Sequence, residues 1–268
     1  MRASLVSKGA LMYEEYARVY DQSGQFAFSL KMIPYLGRLI ERHPIVCVPA
    51  KNTMVDLACG TGTVAIGLAQ DGWRVYAVDV SAQMLAQARA KVTSDDLDLY
   101  WSQQDMRRLV LPERVHLATC LYDSMNYMLT SDDLLASFRR VFDALLPGGL
   151  LLFDMNTAWA FASLWDDETY FTDSDELSVI IRGAYDSRRQ QASVVVTCFQ
   201  RMGDLYRKIV ERHTEQAYPP EQIATLLSDV GFHVEADYDC FSFERPSPNT
   251  PRIMWVARRP KAIAGSHR

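Results

Sequence analysis

The sequence predicts an α/β fold: an open, mostly parallel, Rossmann-like sheet with helices on both faces. Three observations predict it. From Thr53 to Asp154, short apolar runs alternate with segments of helical spacing. The first run ends in a glycine-rich turn, Asp56-Leu57-Ala58-Cys59-Gly60-Thr61-Gly62, that opens onto a helix-spaced stretch. The second run, Arg74 to Asp79, ends in an acidic residue about 20 positions beyond those glycines, the spacing of a nucleotide-binding βαβ unit.

The elements follow in order. Ala10 to Gln22 has helical spacing through Tyr13, Tyr16 and Tyr20, and ends at Asp21 and Gly24. Phe26 to Arg42 reads as a second amphipathic helix, interrupted at Pro34, with Pro44 and Pro49 in the linker after it. Strands are expected near Thr53–Asp56, Arg74–Asp79, Leu97–Trp101, Val115–Cys120 and Leu150–Asp154. Ser81 is a good cap for a helix from Ala82 to Ala90. Another helix, Asp132 to Leu146, opens beside Ser131 and stops at Pro147-Gly148-Gly149.

After Asp154 the rhythm changes. Leu177–Asp186, Gln191–Gln200 and Leu205–Gln216 read as a three-stranded antiparallel insertion, rich in Val, Ile and Tyr. A helix from Glu221 to Val230, closed by Gly231, then precedes strands His233–Cys240 and Arg252–Arg258, which a proline-rich turn separates. The chain thus divides into an N-terminal helical cap (1–50), a cofactor-binding core (51–160), an antiparallel insertion over the active site (161–217), a segment completing the core sheet (218–260) and a disordered tail (261–268).

Composition narrows the function classes. With 49% apolar and 23% charged residues, 268 residues form an ordinary globular protein large enough to bury a sizeable core. A formal charge of −5 with scattered basic residues argues against a nucleic-acid partner. The five cysteines, Cys47, Cys59, Cys120, Cys198 and Cys240, are odd in number and dispersed, which argues against a disulfide or metal framework and for a reducing compartment. No stretch has the features of a signal peptide or reaches about 18 apolar residues, so a cytoplasmic protein with no membrane partner is expected.

The acidic residues specify the cofactor. A carboxylate at Asp56 repels a pyrophosphate but attracts the ammonium of an amino-acid-like cofactor, which implies S-adenosylmethionine (SAM). Asp79 suits both ribose hydroxyls, while Met84 and Leu85 offer apolar surface to adenine. Asp105, in Gln103-Gln104-Asp105-Met106, is placed to accept from the adenine amino group while Met106 packs on the ring.

These pieces, with Ala77-Val78-Asp79-Val80-Ser81 and Leu146-Pro147-Gly148-Gly149, resemble the class I SAM-dependent methyltransferases from about Tyr13 to Arg259. Tyr13 to Asp21, Cys120 to Tyr127 and the insertion before Tyr218-Pro219 are similar to the amino-sugar and glycine N-methyltransferase branch. The resemblance implies a seven-stranded sheet whose last strand is antiparallel. It implies that Asp56, Gly60 and Gly62 serve the methionine part, Asp79 the ribose, and Asp105 and Met106 the adenine; Ala58, Val80 and Met84 are also expected to bind the cofactor. Leu121 and Tyr122 would lie beside the sulfonium, and Tyr13 and Tyr20 would close over the cofactor from an N-terminal helix, with Tyr16 packed on the sheet.

Methyl transfer needs alignment, exclusion of water and removal of a proton from a charged amine. Asp123, Tyr127 and His213 are the candidates for that chemistry, each with a competing role in capping or packing. Trp159, Phe161, Trp165, Tyr170 and Phe171 either line an acceptor pocket or form core beneath the insertion. The expected activity is methyl transfer to a small-molecule acceptor, an amine nitrogen first. The alternatives are O-methylation, SAM binding without turnover, and an NAD-dependent dehydrogenase, against which Asp56 argues. The sheet of the insertion also suggests a homodimer.

Overall fold

The computed structural model describes residues 13–45, 52–94 and 96–261. Residues 10–12 of the first expected helix, Cys47, Pro49 and all of the expected tail except Lys261 lie outside the described residues. The strands are β1 (Thr53–Leu57), β2 (Arg74–Asp79), β3 (Leu99–Gln103), β4 (Val115–Cys120), β5 (Leu145–Asn156), β6 (Thr169–Thr172), β7 (Leu177–Asp186), β8 (Gln191–Met202), β9 (Leu205–Gln216), β10 (His233–Asp239) and β11 (Arg252–Arg258). The helices are α1 (Phe26–Arg42), α2 (Thr63–Gln70), α3 (Ala82–Lys91), α4 (Ser131–Ala144), the short α5 (Ala158–Ala160) and α6 (Pro220–Val230).

Seven strands form one sheet in the order β10-β11-β5-β4-β1-β2-β3. Strands β1 to β5 run parallel, and the last strand, β11, runs antiparallel to both β5 and β10. Helices cover both faces, so β1 and β4 are buried along their whole lengths and read as near-continuous apolar runs. On one face Met32, Tyr35, Leu36 and Leu39 of α1 pack with α2 against Met54, Leu117, Leu152 and Val256. On the other, α4 and α6 lay Phe138, Val141, Ile223 and Leu227 against Val55, Phe153 and Trp255. Among the described residues no helix is long and apolar enough to cross a membrane.

Several local expectations need correction. The segment from Tyr13 to Gly24 is no continuous helix but a strap of turns around a 3-10 turn at Tyr16–Arg18. The cause lies far away in sequence: the Glu211 carboxylate accepts the backbone N–H groups of Tyr13, Glu15 and Tyr16 at 3.0, 3.0 and 2.9 Å. Pro34 does not interrupt α1, which runs through it. The carbonyl left without its helical donor belongs to Leu30, a half-exposed residue.

Helix α4 is capped by Thr130 rather than Ser131, its hydroxyl accepting from Asp133 N at 3.1 Å. Pro147-Gly148-Gly149 does not end that helix but lies in β5, whose pairing with β4 shifts register between Val115 and Leu117. The insertion has four strands, β6-β7-β8-β9, not three. Strand β6 escapes sequence reading because all four of its residues are exposed on a short edge, with no apolar alternation to reveal them.

Gly62 caps α2 at φ +77°, and a Cβ there would meet Trp101 Cη2 at 2.5 Å. Gly62→Ala should therefore lower the urea unfolding midpoint by an amount equivalent to about 1–3 kcal/mol. A midpoint equal to that of the wild type would show that Trp101 yields freely.

Candidate active site

A cavity of about 390 Å³ opens at the carboxyl ends of β1, β2 and β4, where an open α/β sheet presents its ligand crevice. The strap roofs it, and the inner face of the insertion sheet walls its far end. Fifteen of the sixteen site residues expected from sequence line it: Tyr13, Tyr20, Asp56, Ala58, Gly60, Asp79, Val80, Met84, Asp105, Met106, Leu121, Tyr122, Asp123, Tyr127 and His213. Gly62 does not; its missing side chain makes room for Trp101 instead. Tyr16, expected as packing alone, is buried and also lines the cavity.

The β1–α2 loop forms the floor. Ala58 and Gly60 both take positive φ, +52° and +56°, and a Cβ at Gly60 would meet nothing within 4 Å. Backbone and open space therefore face a ligand there with no side chain between. The Asp79 carboxylate fixes this turn by accepting from Gly60 N and Ser81 N, each at 2.8 Å. The carboxylate keeps acceptor capacity for a further donor. Asp79→Ala should weaken SAM binding roughly tenfold or more by removing charge-assisted bonds worth about 1.5–3 kcal/mol each. Undiminished calorimetric affinity in a folded variant would sink the ribose assignment.

Asp56 is buried and accepts from Thr119 Oγ1 at 2.7 Å. Burial, then the nearby Asp79 charge, push its pKa up to about 7 against the pull of the Thr119 bond. A carboxylate destabilised in this way gains most from receiving a cation. The folded pKa lies above the ordinary value, so this group favours folding at low pH and loses that contribution as pH rises to about 7. At the adenine end, Asp105 is less available than expected. Its carboxylate caps a 3-10 turn by accepting from Arg107 N at 2.9 Å and pairs with the Arg107 guanidinium, which holds its pKa below the usual range.

The middle of the cavity rests on a strained turn. Tyr122 and Asp123 both adopt left-handed backbone, φ +57° and +53°. The fully buried Asp154 carboxylate accepts their N–H groups at 2.7 and 3.1 Å. Arg252 donates to both Asp123 and Asp154, and its guanidinium lies 4.8 Å from the Phe28 ring centroid. Tyr122 stacks on Phe28 and donates its hydroxyl to Gln25.

At the far end, Glu211, His213 and Glu215 alternate along β9 and so share the inward face. Glu215 is buried, and its pKa is raised well above the carboxylate range, first by burial and then by Asp123. Tyr127 and Tyr13 join hydroxyls at 2.8 Å, with the Tyr13 ring 4.6 Å from that of His213. Burial lowers the His213 pKa to about 4, so the imidazole is neutral at pH 7 and too weak a base to deprotonate an alkyl amine. The Glu211 carboxylate, 3.7 Å away, therefore makes no ion pair with it at that pH.

Of the aromatic set after β5, Trp165 and Tyr170 line the cavity, Phe161 is buried beneath the insertion, and Phe171 is exposed. Sequence reading missed Arg252, Asp154, Glu211 and Glu215. Strand alternation through His213 could have found the two glutamates, whereas the two ion-pair partners leave no local signal. Among the described residues no group of three or more His, Cys, Asp or Glu is arranged to hold a metal ion. Cys59, Cys120, Cys198 and Cys240 are free thiols.

The fold and the acidic loop ends define an open α/β protein with a ligand crevice at its strand ends, and comparison with known proteins identifies the family. A family profile described as "Methyltransferase domain" matches residues 54–149. The chain is 30% identical over 256 residues to "Putative methyltransferase YqeM" of Bacillus subtilis (strain 168), covering 94% of this chain and 99% of that one. Over 117 residues, 44% of this chain and 43% of the relative, it is 31% identical to dTDP-3-amino-3,6-dideoxy-alpha-D-glucopyranose N,N-dimethyltransferase of Streptomyces fradiae. The crystal structure of a SAM-dependent methyltransferase from Clostridium acetobutylicum ATCC 824 superposes with a TM-score of 0.81 at 27% identity, covering 92% of this chain and 99% of that one. The chain belongs to the class I SAM-dependent methyltransferases.

The residues present fit SAM: an open backbone cradle at Gly60, a buried carboxylate at Asp56 with raised pKa for an ammonium, and Asp79 with lone-pair capacity left.

Proposed function

We propose that this enzyme transfers the methyl group of SAM to an amine nitrogen of a small molecule. The observation that carries the reading is that two interacting buried carboxyls, Glu215 and Asp123, both line the cavity. Two buried carboxyls whose nearby cation, Arg252, is already paired with Asp123 and Asp154 favour a cationic guest, and the raised pKa of Glu215 brings it closer to that of an ammonium. The amino-sugar N,N-dimethyltransferase named above supports the same choice of nitrogen.

Bound SAM supplies an activated methyl group on a good leaving group. The protein does the rest. Asp56, Ala58, Gly60, Asp79 and Val80 would hold the cofactor's methionine and ribose parts, while Met84, Asp105 and Met106 would hold its adenine. Leu121 and Tyr122 hold the approach to the transfer position, and Tyr13 and Tyr20 exclude water from above. Asp123 and Tyr127 position the nitrogen, and Glu215 takes its proton before or during transfer. Among the expected catalytic residues, His213 then serves as a neutral hydrogen-bonding partner rather than a base.

The test is a screen of amines, alcohols and carboxylic acids with SAM, read by mass spectrometry as the gain of one methyl group. Methylation confined to amines is expected. Methylation confined to hydroxyls or carboxylates would overturn the amine reading.

A further inference from the structure

Two features of the far end of the cavity bear on what the amine is attached to, given the amine reading above. The wall there is apolar: Trp165, Tyr170, Ile181, Gly183, Val194 and Val196. Strand β7 comes flush against the turn after α5, since a Cβ at Gly183 would sit 2.1 Å from the Trp165 carbonyl oxygen. The Trp165 backbone thus packs directly on β7, and Trp165 lines the cavity together with the apolar residues of β7 and β8.

His213 is the polar exception. Its side chain is 5% exposed, and neither ring nitrogen has a hydrogen-bond partner among the described residues. Such a group is costly in a folded protein unless something else satisfies it. It lies two residues from Glu215 on the same strand face, roughly 6–7 Å along the chain.

The third observation concerns charge. Among the described residues, the arginines lining the cavity are Arg107 and Arg252, and no lysine does so. Arg107 is held by Asp105 and Asp133, and Arg252 by Asp123 and Asp154. Neither is left to neutralise a diphosphate, and burying an unneutralised phosphate beside Glu215 and Asp123 is strongly unfavourable.

We propose that the acceptor is a phosphate-free amine on an apolar or aromatic body, with a neutral hydroxyl or amide two or three carbons from the nitrogen. The nitrogen sits at Glu215 and Asp123, the neutral group bonds to His213, and the body packs on the apolar lining of Trp165, Tyr170 and the valines. His213 is then the specificity-determining residue, acting as a hydrogen-bond partner without a charge. Sites built to bond a polar group discriminate strongly against analogues that lack it, because their own buried groups are left unpaired.

The experiment compares three acceptors with SAM-saturated enzyme. These are phenylethanolamine, phenethylamine, which lacks the hydroxyl, and the dTDP-linked amino sugar in the name of the Streptomyces fradiae relative. Phenylethanolamine should exceed phenethylamine in kcat/KM by about tenfold or more. The nucleotide sugar should give no turnover. In His213→Leu the ratio should fall to about one with SAM affinity retained, and His213→Asn should restore part of it.

Turnover of the nucleotide sugar with both aryl amines inert would overturn the inference and leave the amine reading standing. A hydroxyl preference that survives in His213→Leu would overturn the role of His213. Inertness of all three would overturn the inference, and the wider screen of amines against alcohols and acids would then decide the amine reading separately.

Discussion

Glu215→Gln is expected to lower kcat by about a hundredfold or more, with SAM affinity changed less than about twofold. The substitution keeps the shape and the contact with Asn156 Nδ2, 3.4 Å away, but removes the group able to take a proton. The sign of the pH dependence follows from the raised pKa of Glu215. In the wild type the carboxyl becomes a competent base only as pH rises into its titration range, so kcat/KM should climb with pH. In the glutamine variant that limb should flatten. Steady-state profiles with an amine from the screen measure both. A variant with unaltered kcat and the same rising limb would assign the proton to water or to Asp123.

The second large effect is on stability. Arg252→Met should cost about 3–5 kcal/mol in the unfolding free energy, because it leaves Asp123 and Asp154 buried without their cation. The Asp154 carboxylate holds the turn at Tyr122 and Asp123, whose two successive left-handed residues relax if that support is lost. Burial already raises the Asp154 pKa above its unfolded value, so its contribution favours folding at low pH and is lost as pH rises. Removing Arg252 strengthens that trend. Urea midpoints measured from about pH 5 to pH 8 should therefore show a deficit that widens with pH. A deficit below about 1 kcal/mol throughout would mean that the network does not support the turn.

The parallel core was legible because its signals are local. Asp56, the Gly60 turn, Asp79 and the Ser81 cap each combine residue type with short spacing, and β2 and β4 begin and end where their apolar runs do. The strap was not legible. Three aromatic residues at helical spacing suggested a helix, but Glu211, almost two hundred positions away, takes the N–H groups a helix would have used. Strand β6 was hidden for the opposite reason, since an exposed edge needs no apolar pattern.

Within the site, residues at strand ends were found and those that buttress them were not. Asp154 and Arg252 look like ordinary strand residues in one dimension, and only the β5–β11 pairing, with Arg252 opposite Asn156, brings them to the Tyr122 turn. His213 was noticed as a candidate base, yet its chemistry depends on burial, which no spacing reports.

The central claim is that the cavity beneath the strap takes the cofactor with its ammonium over Asp56, leaving the far end to the acceptor. Calorimetric titration of SAM near pH 7, in buffers of different ionisation enthalpy, tests it most directly. With a pKa raised to about 7 in the free protein, Asp56 is protonated in part there, and a cation beside it should expel a fraction of a proton. The account predicts that release in the wild type and its loss, with weaker binding, in Asp56→Asn. SAM binding of equal strength in both proteins, with no proton released by either, would contradict it.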